Sequence, residues 1–136
     1  MKLAIFGSRT LCDDRVVELI QKYIDELGPE LIITSGETSG VNEIARSAAR
    51  NNKTALHLEF ADNKKYAGGK YEHRSINILK LCDRALFIHD GNSKGTRNEL
   101  AVCKQMNKPY IYERLDINEE EDSKWDNLTI DWDVKN

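Results

Sequence analysis

Three times along this chain, a short apolar run ends in a loop of glycine, serine and threonine residues, and a helical pattern follows. The apolar runs cover residues 3–6, 31–33 and 85–88, and the first, second and third loops follow them at residues 7–9, 35–40 and 90–96. Glycine lets the backbone approach closely, and the first N–H groups of a helix have no partners inside it, so such a loop can bind an anion. The pattern therefore predicts a ligand that carries phosphate.

Strand and helix patterns alternate with short connections, which favours an α/β fold around a mostly parallel sheet. The sequence predicts about five strands, with helices over about residues 13–27, 41–51, 71–82 and 96–106. Because crossovers between parallel strands are right-handed, we expect a Rossmann-like, doubly wound sheet of order 3-2-1-4-5 with helices on both faces. Ligands bind such sheets where the winding reverses, at the carboxyl ends of strands one and four. The three loops should therefore meet at that edge.

Charge divides the chain into two parts. Residues 113–136 contain nine acidic and three basic residues and carry −6, so residues 1–112 carry +3 of the total charge of −3. We predict a Rossmann-like nucleotide-binding domain over residues 1–112 and an acidic C-terminal extension over residues 113–136. In that extension, residues 128–134 alternate in the manner of an added edge strand. A weakly basic body suits a small anionic ligand and disfavours a nucleic-acid partner.

Other features exclude whole classes of protein. Cys12, Cys82 and Cys103 are odd in number and far apart, which favours reduced thiols and a cytoplasmic location. No metal-ligand spacing is present, and no apolar run approaches the roughly 20 residues that cross a bilayer. The absence of GxGxxG and GxxxxGK[ST] disfavours dinucleotide redox chemistry and P-loop phosphotransfer. We expect no metal, no cofactor and no membrane partner, while a homodimer or higher homo-oligomer stays open.

The candidate ligand contacts come from the three loops. Arg9 follows a strand-ending Gly-Ser pair and can hold a phosphate or carboxylate, and a surface charge is the alternative. The serine and threonine residues at the two later helix starts suit either N-capping or anion binding. The predicted phosphate- and ligand-binding residues are Gly7, Ser8, Arg9, Ser35, Gly36, Thr38, Ser39, Gly40, Asp90, Gly91, Ser93, Gly95 and Thr96.

Two charged helix residues are candidates for catalysis. Arg74 lies near the start of the third predicted helix, and Glu99 follows Thr96 by three residues in the fourth. Beside a bound nucleotide, a carboxylate can stabilise an oxocarbenium-like sugar or activate water, while a cation holds a phosphate or supports the leaving group. The alternatives are a solvated helix charge for Arg74 and a capping-box glutamate for Glu99.

In their order along residues 2–112, these motifs resemble the SLOG superfamily, in particular its small YspA-type members. The superfamily also contains the DprA/Smf proteins and the LOG (Lonely guy) phosphoribohydrolases. The resemblance is carried by Gly7-Ser8-Arg9, Ser35-Gly36, Gly40-Val41, Arg74, Asp90-Gly91, Ser93 and Gly95-Thr96. It implies a Rossmann-like domain with a nucleotide-type pocket.

The LOG enzymes cleave the N-glycosidic bond of nucleoside monophosphates with an arginine and a glutamate. By resemblance, Arg74 and Glu99 match the arginine of their MHxRK-like segment and the glutamate of PGGxGTxxE. The chain departs from the family patterns at Asp90-Gly91, which replaces Pro-Gly-Gly, and at Ser75, which replaces a lysine. In the YspA-type pattern, Glu37 replaces a second glycine.

Two functions follow as hypotheses of different classes. The first is binding of a nucleotide or nucleotide-derived ligand with hydrolysis of its N-glycosidic bond by Arg74 and Glu99. The second is a non-catalytic sensor or sequestering module for a nucleotide signal such as an ADP-ribose derivative. A DprA-like nucleic-acid binder is disfavoured, because residues 1–112 carry only +3. An enzyme would release free base, whereas a sensor would return its ligand unchanged.

Overall fold

The structure is a computed structural model and describes residues 1–61 and 69–117. It contains five strands, β1 (Lys2–Gly7), β2 (Leu31–Ser35), β3 (Ala55–Glu59), β4 (Arg84–His89) and β5 (Tyr110–Arg114). The helices between them are α1 (Asp14–Leu27), α2 (Val41–Asn51), α3 (Lys70–Leu81) and α4 (Lys94–Gln105). The strands pair in parallel in the order β3-β2-β1-β4-β5. The predicted α/β class and the predicted doubly wound order are both confirmed.

The central strand β1 is buried on both faces of the sheet. Leu3 and Ile5 belong to one hydrophobic cluster, and Ala4 and Phe6 belong to another. Side chains alternate between the two faces of a strand, so a strand covered on both sides needs an unbroken apolar run. Because β1 pairs with both β2 and β4, its carboxyl end lies between the ends of its neighbours. The first loop is thereby fixed between the second and the third.

Each face of the sheet is covered by two helices. On one face, Val16 and Ile20 of α1 pack with Ala45 and Ala49 of α2, whose small side chains let that helix lie close to the sheet. The other face is covered by α3 and α4, and its buried residues include Phe6, Phe87, Ile78, Leu79, Cys82 and Cys103. The rings of Phe6 and Phe87 stack with 4.9 Å between centroids. This second pair of helices carries Arg74 and Glu99 towards the carboxyl edge of the sheet.

Glycines allow the first loop to contact the start of α2. A Cβ on Gly7 would collide with the side chain of Val41, and one on Gly40 would collide with the backbone of Ser8 and Arg9. Gly40 also has a φ of 73°, in a region that L side chains rarely adopt. The two loops can therefore approach this closely only if both positions are glycine.

Replacing Gly40 with alanine should destabilise the protein by more than the roughly 1 kcal/mol of a positive-φ penalty, because the added methyl also meets backbone. Gly28→Ala is the matched control: Gly28 has a φ of 54°, but nothing lies within 4 Å of its added Cβ. Denaturant unfolding of both variants measures the difference. Equal losses of unfolding free energy would contradict the close approach.

Strand β5 continues two residues beyond the predicted boundary at residue 112, and the Leu115 N–H then donates to the carbonyl of His89 at 2.9 Å. The predicted edge strand over residues 128–134 lies outside the described residues. Within the described ranges, none of the helices has the length and apolar character needed to cross a membrane.

Candidate functional site

An open cleft of about 870 Å³ lies at the carboxyl edge of the sheet, where β1, β2 and β4 end. The three predicted loops meet there. Of the predicted site residues, those that line the cleft are Gly7, Ser8, Arg9, Gly36, Thr38, Ser39, Arg74, Ser93, Gly95, Thr96 and Glu99. The structure thus brings both candidate catalytic residues and most of the predicted loop residues into one place.

Ser8 joins the three loops through its backbone and its hydroxyl group. Its carbonyl accepts the Val41 N–H at the start of α2 at 3.3 Å, and its Oγ accepts the Asp90 N–H of the third loop at 3.1 Å. Its own N–H donates to the carbonyl of Ile88 in β4 at 3.1 Å. Ser8, the first residue after β1, therefore sets the spacing between the other two loops.

Four predicted residues, Ser35, Gly40, Asp90 and Gly91, do not line the cleft. Ser35 is buried, and its hydroxyl accepts the Glu37 N–H at 3.4 Å. Gly40 is used in the contact with the first loop, and a Cβ on Gly91 would meet the guanidinium of Arg114. Their part in the site is to shape the loops behind it.

Asp90 is surrounded by donors from the protein. Its carboxylate accepts the Thr10 hydroxyl at 2.5 Å, the backbone N–H groups of Asn92 and Ser93 at 2.8 and 2.7 Å, and the Ser93 hydroxyl at 2.8 Å. Burial alone would raise the pKa of Asp90, but these hydrogen bonds outweigh it and hold the pKa below its ordinary value. The carboxylate therefore stabilises the turn from β4 into α4.

Two ion pairs that share one carboxylate line the cleft, and they are formed by Arg9, Glu37 and Arg74. Glu37 Oε1 lies 3.0 Å from Arg74 Nη2, and Glu37 Oε2 lies 3.6 Å from Arg9 Nε. Arg9, on the first loop, is half exposed, whereas Arg74, on α3, is only 8% exposed. One carboxylate thus neutralises part of each guanidinium.

Arg74 keeps one donor unused. Its Nε is buried and has no hydrogen-bond partner in the described part of the chain. Its guanidinium lies 5.1 Å from the ring centroid of Tyr71, one helical turn away on α3. A buried side chain in contact with an aromatic ring is not a solvated helix charge. A buried N–H without an acceptor costs about 1–3 kcal/mol. Arg74 therefore retains a buried N–H that no described protein group satisfies.

Glu99, on α4, lines the same cleft as Arg74 and interacts with it electrostatically. Its Oε2 accepts a weak hydrogen bond from the Ser75 hydroxyl at 3.4 Å. Burial raises the pKa of Glu99 to about 8, and the nearby Glu37 carboxylate adds to this, while Arg74 acts in the opposite direction. Glu99 is only partly buried, and the raised pKa favours its protonated form, which can donate a hydrogen bond.

The capping-box alternative for Glu99 is wrong. Helix α4 begins at Lys94, with Ser93 as its N-cap, so Glu99 lies in the second turn, beyond the N3 position of a capping box. The sequence pattern predicts that this helix begins at Thr96. Neither Gly40, the N-cap of α2, nor Ser93 makes a side-chain capping bond. N-capping by side chains therefore does not account for the polar residues of these loops.

Sequence reasoning missed several residues that line the cleft. Two of them, Tyr71 and Ser75, lie on α3 close to Arg74. Tyr71 precedes Arg74 by three residues, and Ser75 follows Tyr71 by four, so helical spacing could have identified both. Asn42 also lines the cleft and accepts the Thr34 hydroxyl at 2.9 Å. The role of Glu37 has no such signal, because it depends on how α3 approaches the second loop. In the two described ranges, no group of three His, Cys, Asp or Glu residues is arranged to hold a metal.

Comparison with solved structures identifies two that share this fold. The Moco carrier protein from Chlamydomonas reinhardtii matches with a TM-score of 0.61 and 14% identity, over 93% of this chain and 83% of that one. DNA processing protein A (DprA) from Streptococcus pneumoniae matches with a TM-score of 0.53 and 17% identity, over 82% of this chain and 58% of that one. No protein-family model and no curated sequence matches the chain. Identities this low establish the shared fold alone.

Proposed function

We propose that the cleft binds a nucleotide or a nucleotide-derived ligand, with the phosphate of the ligand held by Arg9 and Arg74. The observation that carries this proposal is the buried Nε of Arg74, which has no partner among the described residues. A phosphate oxygen would supply the missing acceptor, and charge-assisted hydrogen bonds of this kind are about twice as strong as neutral ones. Ser39 and Thr96 line the same cleft.

A ligand larger than phosphate is supported by the size and the chemistry of the cleft. Its volume of about 870 Å³ is that of a typical small-molecule site. Tyr71 lines it and is 57% exposed, so part of its side chain can contact a planar ring. One of the two solved structures that share the fold is a Moco carrier protein, which supports a small-ligand role for the fold.

The direct test is a binding screen by thermal shift, followed by calorimetry. Nucleoside monophosphates, NAD, ADP-ribose and cyclic nucleotides should be compared with unphosphorylated nucleosides. We expect stabilisation that grows with ligand concentration and that requires the phosphate. Equal binding of the nucleosides, or no binding at all, would contradict a phosphate site at Arg9 and Arg74.

Arg9→Ala should weaken the phosphorylated ligand by about 1.5 kcal/mol, roughly tenfold in Kd. This is the lower end for a charged hydrogen bond, because Arg9 is half exposed. The melting temperature should hardly change. Arg97→Ala removes the same charge from an exposed position of α4 outside the cleft and serves as the control. An equal loss of affinity in the control would point to a general charge effect.

The second candidate function is hydrolysis of the N-glycosidic bond of the bound nucleotide. Arg74 and Glu99 face one cleft and interact electrostatically, which favours this candidate. Protonated Glu99 can donate a proton to the departing base while water adds to the sugar; ionised Glu99 can stabilise the positive charge that develops at the anomeric carbon. The products are free base and the sugar phosphate. Binding without base release would instead support the sensor or sequestering function.

A further inference from the structure

We infer that Glu37 is a specificity-determining residue of the cleft, because its carboxylate occupies the anion position between Arg9 and Arg74. Singly charged phosphodiesters should then bind more tightly than doubly charged phosphomonoesters. This inference rests on the proposed function, in which the two arginines hold the phosphate of the ligand. It adds the class of phosphate that the site accepts.

The geometry places Glu37 where a phosphate would lie. Its two carboxylate oxygens each face a different arginine, at 3.0 Å from Arg74 Nη2 and at 3.6 Å from Arg9 Nε. A phosphate bridging the same guanidinium groups would offer them two oxygens in the same way. The longer of these distances shows that the pairing with Arg9 is loose.

The main chain at Glu37 is held by its neighbours. The Glu37 N–H donates to the Ser35 hydroxyl at 3.4 Å, and its carbonyl accepts a hydrogen bond from the guanidinium of Arg46 on α2. Every other residue of the second loop is uncharged. A ligand therefore meets one negative charge in this loop, that of Glu37. Because the main chain of Glu37 is held in place, only rotation of its side chain can move that charge away from the ligand.

The charges that face this position determine which phosphate fits. Arg9 and Arg74 contribute two positive charges and Glu37 one negative charge, which leaves one positive charge to be matched. Lys94 and Glu72 line the cleft with opposite charges, and the raised pKa of Glu99 favours its uncharged form. A phosphodiester carries one negative charge, whereas a phosphomonoester carries nearly two at pH 7.5, since its second pKa is about 6. The second charge would be repelled by Glu37.

The experiment compares ligands that differ by one charge. We would use the 5′-monophosphates of the four common ribonucleosides and the 5′-methyl phosphodiesters of the same nucleosides, measured by calorimetry at pH 7.5. Wild type should bind the best diester at least about fivefold more tightly than its monoester. Glu37→Gln should strengthen the monoester about tenfold or more and change the diester less than about threefold, which lowers the preference for the diester at least about threefold.

Glu43→Gln is the matched control, because Glu43 is exposed on α2 and lies outside the cleft. It should leave the ratio of the two affinities unchanged. An unchanged ratio in Glu37→Gln, or a loss of both ligands, would overturn the inference while leaving the proposed function in place. If none of the ligands binds either folded variant or wild type, the proposed function fails and the inference fails with it.

Discussion

Glu99→Gln should lower the release of free base at least about a hundredfold if the cleft is catalytic, with little change in ligand affinity. Glutamine keeps the size of the side chain and an oxygen for the Ser75 hydroxyl, but it neither donates an acidic proton nor carries a charge. Because the lost interaction belongs to the transition state, kcat should fall, whereas Kd should stay nearly unchanged. Base release is followed by chromatography with the nucleotide that wild type binds most tightly.

The pH dependence of wild type identifies the form of Glu99 that acts. Burial raises the pKa of this carboxyl group to about 8. If the ionised form acts, the rate should rise about tenfold per pH unit up to pH 8; if the protonated form acts, it should be level below pH 8 and fall above it. Glu43→Gln, the same change at an exposed position of α2 outside the cleft, should retain activity. A wild type that binds nucleotides but releases no base would remove the hydrolase candidate.

Glu99 also gives the wild-type protein a recognisable pH profile of stability. Its pKa in the folded protein, about 8, lies above the ordinary value of 4.5. Its contribution to stability is therefore complete below pH 4.5 and is lost as the pH rises through 8. Between these limits the Glu99→Gln variant should gain on wild type by up to about 1.4 kcal/mol per pH unit. This comparison needs no substrate, so it tests the raised pKa of Glu99 whether or not the protein is an enzyme.

Asp90→Ala should lower the free energy of unfolding by about 3 kcal/mol and the melting temperature by roughly 10 °C. The substitution removes the acceptor of two hydroxyl groups and two backbone N–H groups, of which those of Ser93 are buried. Buried donors that lose a charged acceptor are costly because no water replaces it. Chemical denaturation at pH 7 measures the effect.

The matched control for Asp90 is Asp14→Ala, an exposed aspartate in the first turn of α1. It should cost less than about 1 kcal/mol. The pKa of Asp90 is held below its ordinary value of 3.8, so its contribution persists at neutral pH and is lost only as the pH falls below about 4. A loss below 1 kcal/mol in Asp90→Ala would contradict the hydrogen-bonded role of its carboxylate.

The arrangement of the strands could be predicted because it depends on local patterns and on general rules of connection. Apolar runs, loops and helical stretches alternate along the chain, and right-handed crossovers leave few ways to order five parallel strands. The meeting of the loops then follows, because the strands that precede them end at one edge. The placement of Arg9, Arg74 and Glu99 in one cleft followed from the same topology.

The details that sequence reasoning missed are set by contacts between distant segments. Asp90 was predicted to contact the ligand, but Thr10, 80 residues away, donates to its carboxylate. Glu37 entered only as a departure from a family pattern, and its pairing with Arg74 spans 37 residues. Helix α4 begins earlier than predicted because Lys94 and Gly95 adopt helical conformations that their local sequence does not indicate. Spacing along a chain carries no information of this kind.

The position of β1 between β2 and β4 has a consequence for how the site is made. The cleft uses Gly7 at the end of β1 and Glu99 on α4, so a growing chain contains no complete site until most of the domain has been synthesised. Partly folded forms that lack the pairing of β1 with β4 cannot bind the ligand at both sides of the cleft. A ligand of this cleft would therefore bind only fully folded molecules, and its binding free energy would stabilise only the folded state.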